Sequence, residues 1–206
     1  MFKTRVGFLF AFLSIFVSCK EDHQSSKTIN KKPSTRVIII QPFSDFSPAL
    51  SANVFTQLKA INENTILRTA IPLPAQSYYP SRNRYRADTI IRYLSYFGSI
   101  DSVVIGLTYE DISTTKGKFA DFGVMGLGYC PGKACVVSTY RLTKTYLAEQ
   151  FYKVAIHELG HTQGLPHCPD KTCFMRDAEG GNPLNDEKDF CESCRNFLKE
   201  KGWNLQ

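Results

Sequence analysis

The stretch HELGHTQGLPHCPDKTCFM, from His157 to Met175, constrains this chain more than any other. His157 and His161 stand four residues apart in a segment whose apolar residues recur at helical spacing, so both imidazoles leave one face of one helix, a turn apart. That makes two zinc ligands on a rigid support. Glu158, one residue on, is rotated by about 100° around the helix, beside a metal rather than on it. A general base for a water held by that metal belongs there. Gly164 can take a positive φ, end the helix and return His167 toward the metal. Three neutral imidazoles leave a fourth position open, the catalytic arrangement of zinc, which lowers the pKa of its water to about 7 and polarises a carbonyl.

HExxH alone is equally a pair of surface histidines flanking a solvated glutamate. The longer HExxHxxGxxH is far rarer, and three of the chain's four histidines lie in it. Cys168 follows immediately, then Cys173, then Cys191 and Cys194 as a CESC pair. Four thiolates in two close pairs match a closed tetrahedral zinc site, which stabilises a fold and admits no substrate. In an oxidising compartment the same quartet could form disulfides, and the spacing favours zinc. Because His167 and Cys168 are neighbours, one short segment would serve two Zn2+ ions, one catalytic and one structural.

The sequence HExxHxxGxxHC, four residues, C-x-M, a spacer and CxxC resembles the signature of the archaemetzincin (archaelysin) zinc metallopeptidases. Met175 stands where metzincins place the methionine of their Met-turn, a hydrophobic floor beneath the catalytic zinc. SVVIGLTYEDI, ADFGVMGLGY and VVSTYRL also look like core segments of that family, so the resemblance runs from Arg36 to the end. The spacer from Met175 to Cys191 is slightly shorter than usual, which a loop absorbs. The resemblance implies an α/β (α+β metzincin-like) fold: a mixed, mostly parallel sheet with an antiparallel edge strand, an active-site helix, and a C-terminal helical subdomain stapled by structural zinc. It also implies hydrolysis of a peptide or protein substrate, and leaves aminopeptidase and endopeptidase action open. Some metzincins use a tyrosine soon after the Met-turn, but Arg176 and Asp177 stand here; Tyr109, Tyr129 and Tyr140 are weak candidates for that role.

At the N-terminus, Lys3 and Arg5 precede an apolar run from Val6 to Val17 that is too short for a spanning helix and fits a secretory signal over residues 1–18. Cys19 after Ser18 resembles a bacterial lipobox, with Phe16 a looser choice than leucine; an ordinary cleaved signal or an uncleaved anchor is the alternative. Acylation at Cys19 would tether the protein to a membrane. Residues 19–35 are polar and form the tether, whose His23 is a solvated side chain rather than a ligand. Lys20, Glu21 and Asp22 resemble an outer-membrane sorting signal, and a solvated charge cluster explains them equally well. The expected location is therefore the cell envelope, on the periplasmic or surface face of the outer membrane. The net charge of +6, falling to +4 without Lys3 and Arg5, is too mild and scattered for a nucleic-acid partner. The chain is expected to act as a monomer.

Residues 36–206 form one domain. RVIIIQ (36–41) and DSVVIGLT (101–108) are apolar runs typical of strands covered on both faces. Ser47-Pro48 caps a helix to Ile61, and Thr65–Ile71 is a further strand. The apolar positions Tyr85, Ile90, Ile91, Leu94 and Phe97 suit a helix over 81–97, with Arg82, Arg84, Arg86 and Arg92 on its solvated face. ADFGVMGLGY is expected to be the antiparallel rim of the cleft, or otherwise an irregular glycine-rich loop. Cys130 and Cys135 flank a Pro-Gly turn and could close a hairpin disulfide. Pro183–Lys201 is expected to be the last helix, with Cys191 and Cys194 one turn apart.

Three function classes follow: a membrane-tethered zinc peptidase, a zinc-dependent peptide-binding envelope lipoprotein with little catalysis, and a structural lipoprotein with a fortuitous motif. Glu158 favours the first over the second, because a binder needs no base. Three histidines in register argue against the third.

Overall fold

Alternating side chains in uninterrupted β-branched runs bury both faces of a strand, and here they build the centre of a sheet. The computed structural model describes residues 36–44 and 46–205; the expected signal segment, Cys19 and the expected tether lie outside them. Strand β1 (Val37–Pro42) turns Ile38 and Ile40 to one side and Ile39 to the other. Ser47 caps helix α1 (Pro48–Ile61), its Oγ accepting the Leu50 N–H at 3.3 Å with Pro48 at the first turn. Strand β2 is only Thr65–Leu67. The expected strand to Ile71 is cut short, and beyond Leu67 the pairing continues through the Arg68 N–H, which donates to the Ile40 carbonyl at 3.0 Å, and an isolated bridge from Ile71 to Phe43.

The helix expected over 81–97 begins six residues late. Tyr78–Tyr79 (β3) and Arg84–Arg86 (β4) are strands, and helix α2 is Ala87–Ser95. The reason is charge. Arg84 is nearly buried between Asp111 (2.9 Å) and Asp121 (3.2 Å), and Arg86 lies 3.6 Å from Asp121. These arginines are therefore paired in a sheet rather than solvated on a helix, and the carboxylates come from residues distant in sequence.

Strand β5 (Ser102–Thr108) is buried throughout. Strands β6 (Ile112–Lys116) and β7 (Phe119–Val124) form a hairpin that joins β3 and β4 in a four-stranded sheet, order β3-β4-β6-β7. Strands β8 (Gly126–Gly128) and β9 (Ala134–Ser138) complete the main sheet, order β2-β1-β5-β9-β8. All its pairs are parallel except β8–β9, which makes β8 the antiparallel edge strand that was expected. The glycine-rich stretch is thus divided: Phe119–Val124 belongs to the second sheet and only Gly126–Gly128 to the rim.

On one face of the main sheet, Ile38, Ile105 and Val137 pack with α1 and the long helix α3 (Leu147–Gln163). On the other, Ile39, Val104 and Val136 pack with Ile90, Ile91 and Leu94 of α2. The last helix, α4, is Glu192–Glu200. The expected helical residues 183–191 are instead a loop, with Cys191 at the N-cap of α4 rather than on it, and the loop is held because the buried Lys153 Nζ donates to the carbonyls of Leu184 (2.7 Å) and Glu187 (2.8 Å). None of the helices formed by the described residues is long and apolar enough to cross a membrane.

Candidate metal centres and active-site cleft

Helix α3 carries His157 and His161 one turn apart, with Glu158 beside the first, and ends where Gly164 takes φ 105°. In that left-handed conformation the Gly164 N–H reaches back to the carbonyls of Gly160 and His161. The chain then reverses, and the three imidazole rings meet with centroids 4.6, 5.5 and 4.8 Å apart. One nitrogen from each ring lies within 4.8 Å of the other two.

Which nitrogen faces inward follows from the outer hydrogen bonds. His157 Nδ1 lies 2.6 Å from the Phe174 carbonyl and His161 Nδ1 lies 2.7 Å from the Leu165 carbonyl. A carbonyl can only accept, so each Nδ1 carries the proton and each Nε2 keeps its lone pair. His167 Nδ1 is likewise 3.3 Å from Asp177 Oδ2. Burial, followed by repulsion from His161, pushes the His157 pKa down to about 3, and burial lowers that of His161. Neutral imidazoles fixed by oxygen partners are the donor set of a divalent transition metal, and zinc fits it.

Met175 is fully buried, and a Cβ on Gly160 would sit 2.5 Å from its Sδ. The glycine inside HELGH is thus what lets this methionine approach the helix one residue before His161. Glu158 is buried against the edge strand. A Cβ at Gly126 would lie 2.6 Å from its Cγ and Oε1, and one at Gly128 would lie 2.7 Å from its backbone oxygen. Desolvation raises the Glu158 pKa to about 8, opposed by the backbone N–H of Gly128. A dication in the triad would act in the opposite direction and favour the carboxylate.

The four cysteines Cys168, Cys173, Cys191 and Cys194 also converge, their sulfurs all within 4.8 Å of one another. Cys168 and Cys191 Sγ are 3.6 Å apart, close to the edge of about 3.8 Å of a tetrahedron with 2.3 Å Zn–S bonds. The Met175 and Cys191 N–H groups donate to Cys173 Sγ at 3.4 and 3.3 Å, as they would to a thiolate. Burial pushes the Cys173 thiol up to about 11, so four ionised sulfurs need a cation among them. No disulfide forms within the quartet. Cys130 and Cys135 are also free, without the hairpin disulfide that their spacing would allow. Cys135 is buried in the core, while Cys130 Sγ lies 3.2 Å from the Leu165 carbonyl.

A cleft of about 870 Å³ opens over the triad between β8, the β6–β7 hairpin and the loop after Met175. Tyr129 lines it, with its hydroxyl donating to Asp88 Oδ1 at 3.2 Å; Tyr109 and Tyr140 lie outside the lining. Sequence reasoning took Gly126 and Gly128 only as part of the rim stretch, gave Asp177 no role, and did not single out Gly160, Glu187 or the Phe174 and Leu165 carbonyls. The one local signal was the GLG of the rim, whose spacing leaves room for Glu158.

Residues 60–200 match the family described as Peptidase family M54. The archaemetzincin of Haloquadratum walsbyi is 28% identical over 176 residues, covering 79% of this chain and 99% of that protein. That of Methanopyrus kandleri is 33% identical over 144 residues, 68% of this chain and 79% of its own. The crystal structure of the latter superposes with a TM-score of 0.70 at 27% identity, over 84% of this chain and 98% of that one. The crystal structure of the archaemetzincin from Archaeoglobus fulgidus, complexed with malonate, gives a TM-score of 0.67 at 28% identity, over 78% and 98%. The chain belongs to peptidase family M54, the archaemetzincin family of zinc metallopeptidases.

Proposed function

We propose that His157, His161 and His167 hold a catalytic zinc, that Cys168, Cys173, Cys191 and Cys194 hold a structural one, and that Glu158 moves the proton in peptide hydrolysis. The observation that carries this is the buried Glu158 carboxyl next to a triad whose Nδ1 atoms are all tied to oxygen. When bound, zinc supplies Lewis acidity to water and to the scissile carbonyl. The edge strand β8 lines the cleft, so its free main-chain groups can pair with an extended peptide and present that carbonyl to the triad. A Glu158 oxygen takes a proton from the attacking water as the C–O bond forms. The same carboxyl then gives it to the departing amine nitrogen as the C–N bond breaks.

The cysteine site anchors α4 to the segment that carries His167 and Met175. The N-terminal sequence supports a further element of this reading, a lipid anchor on Cys19 that would hold the peptidase in the cell envelope.

The test is metal content together with peptide cleavage. Wild-type protein is expected to carry two zinc ions and Glu158→Ala to keep both while losing about 10²–10⁴-fold in kcat. His161→Ala is expected to keep one. A Glu158→Ala protein that cleaves peptides like wild type, or a wild type with one zinc that His161→Ala leaves in place, would refute the assignment.

A further inference from the structure

The cleft that opens over the triad also contains a carboxylate that the hydrolytic machinery does not use. Glu187 lines the cleft, yet is only 3% exposed, and its Oε2 is buried with no hydrogen-bond partner among the described residues. Its cationic neighbours are committed elsewhere. Lys153 Nζ is held by the Leu184 and Glu187 carbonyls and by Glu149 at 2.7 Å. Arg176 Nη1 donates to the Lys171 carbonyl at 3.2 Å and lies 3.4 Å from Asp186.

The surroundings are amphipathic in a way that suits a long basic side chain. Val154, one turn before His157 on α3, lines the cleft together with Met125, Pro183 and Leu184, giving apolar walls for a methylene stem. Burial pushes the Glu187 carboxyl up to about 7, with Lys153 opposing. An acid desolvated without a partner costs stability unless something completes it, and the missing partner is a donor with positive charge.

We propose that Glu187 is a specificity determinant, closing a subsite of this cleft walled by Val154, Met125, Pro183 and Leu184 that accepts a lysine or arginine side chain flanking the scissile bond. The inference rests on the peptidase reading for its orientation relative to that bond, but recognition of the basic side chain can be read without turnover.

The experiment uses zinc-loaded protein at pH 8 and matched hexapeptides that differ at one position, lysine against norleucine, scanned along the peptide. Norleucine keeps the stem and removes the charge. Binding is measured by fluorescence anisotropy on Glu158→Ala, in which cleavage is silenced. At one position the lysine peptide is expected to bind at least about tenfold more tightly than its norleucine partner. Adding Glu187→Gln, which keeps shape and zinc content, should bring the ratio close to one, while Glu187→Asp should retain part of it. Equal binding of every pair, or a lysine preference that survives Glu187→Gln, overturns the proposal. Wild-type protein is then assayed for cleavage of the same peptides. A lysine preference in binding with no cleavage would sink the peptidase mechanism and leave the subsite standing; cleavage with no lysine preference would do the reverse.

Discussion

Gly126→Ala adds one methyl group at the edge strand, and its consequence can be worked from the contact it creates. The new Cβ would lie 2.6 Å from Cγ and Oε1 of Glu158, about 0.8 Å short of an ordinary 3.4 Å contact. The atoms that must yield belong to the side chain of the proposed general base, whereas at Gly128 the obstruction would be the helix backbone itself. Glu158 should therefore move, and the strand and helix should stay. A displacement approaching 1 Å at a reacting group costs up to about 10²-fold. The expected loss in kcat/KM is about 10- to 100-fold, or roughly 1.4–2.7 kcal/mol of transition-state stabilisation. Replacing a strand glycine by alanine restricts the unfolded chain by about 0.4–1 kcal/mol, which offsets part of the overlap and keeps Tm within a few degrees. Zinc content should not change, because no histidine is touched. The comparison is Gly181→Ala, where the new Cβ meets only the Ala178 carbonyl at 3.4 Å and activity should stay within twofold. Gly126→Ala activity within threefold of wild type, with zinc retained, would refute the idea that the glycine rim positions Glu158.

Cys191→Ser removes one sulfur of the quartet; zinc should fall from two ions per chain toward one, Tm should drop, and plasma emission spectrometry with calorimetry reads both. Arg84→Ala leaves Asp111 and Asp121 buried with less compensation, and loss of one partner from such a network costs about 3–5 kcal/mol, measurable by urea unfolding. Glu187 has a folded pKa of about 7, raised from 4.5 by burial, so between those values the folded state binds more protons than the unfolded one and stability falls as pH rises. Glu187→Gln should therefore gain on the order of 1–3 kcal/mol relative to wild type between pH 4.5 and 8, and a difference that stays flat across that range would refute the assignment.

How much was legible in the sequence depended on whether the deciding interaction was local. Helix α3 and its stop at Gly164 were readable because ligand spacing, helical period and C-cap lie within eight residues. Strands β1 and β5 were readable because two-sided burial leaves an uninterrupted apolar run. The helix over 81–97 was misjudged because Arg84-Tyr85-Arg86 alternates with a period of two, a strand signal outweighed by the helical pattern that follows it. What fixes that strand is charge from Asp111 and Asp121 across the sheet. The loop at 183–191 was taken for helix for the same reason, since Lys153, some thirty residues upstream, claims its carbonyls. Glu187 gave no signal because its meaning lies in burial and in the absence of a partner, neither of which a sequence displays.

The adjacency of His167 and Cys168 has a deeper counterpart at residues 173–175. Cys173 contributes a sulfur to the quartet, the Phe174 carbonyl fixes the His157 tautomer, and the Met175 side chain packs against Gly160, next to His161. The Phe174 N–H donates to Asp189 at 3.0 Å, and the Met175 carbonyl accepts from Cys168 at 2.8 Å. Three consecutive residues thus serve both of the proposed metal sites. The coupling is asymmetric. Removing a histidine leaves the cysteine quartet with all its sulfurs and its hydrogen bonds. Loosening the quartet frees Phe174, and an imidazole that loses its orienting carbonyl holds zinc about 10–100-fold less tightly. Under a graded chelator, the triad of wild-type protein should therefore empty first with the fold intact. In Cys191→Ser the triad should empty at lower chelator concentration, although no catalytic ligand has been altered. An unchanged chelator midpoint for the triad in that variant would mean that Phe174 is held by the surrounding core rather than by the cysteine site.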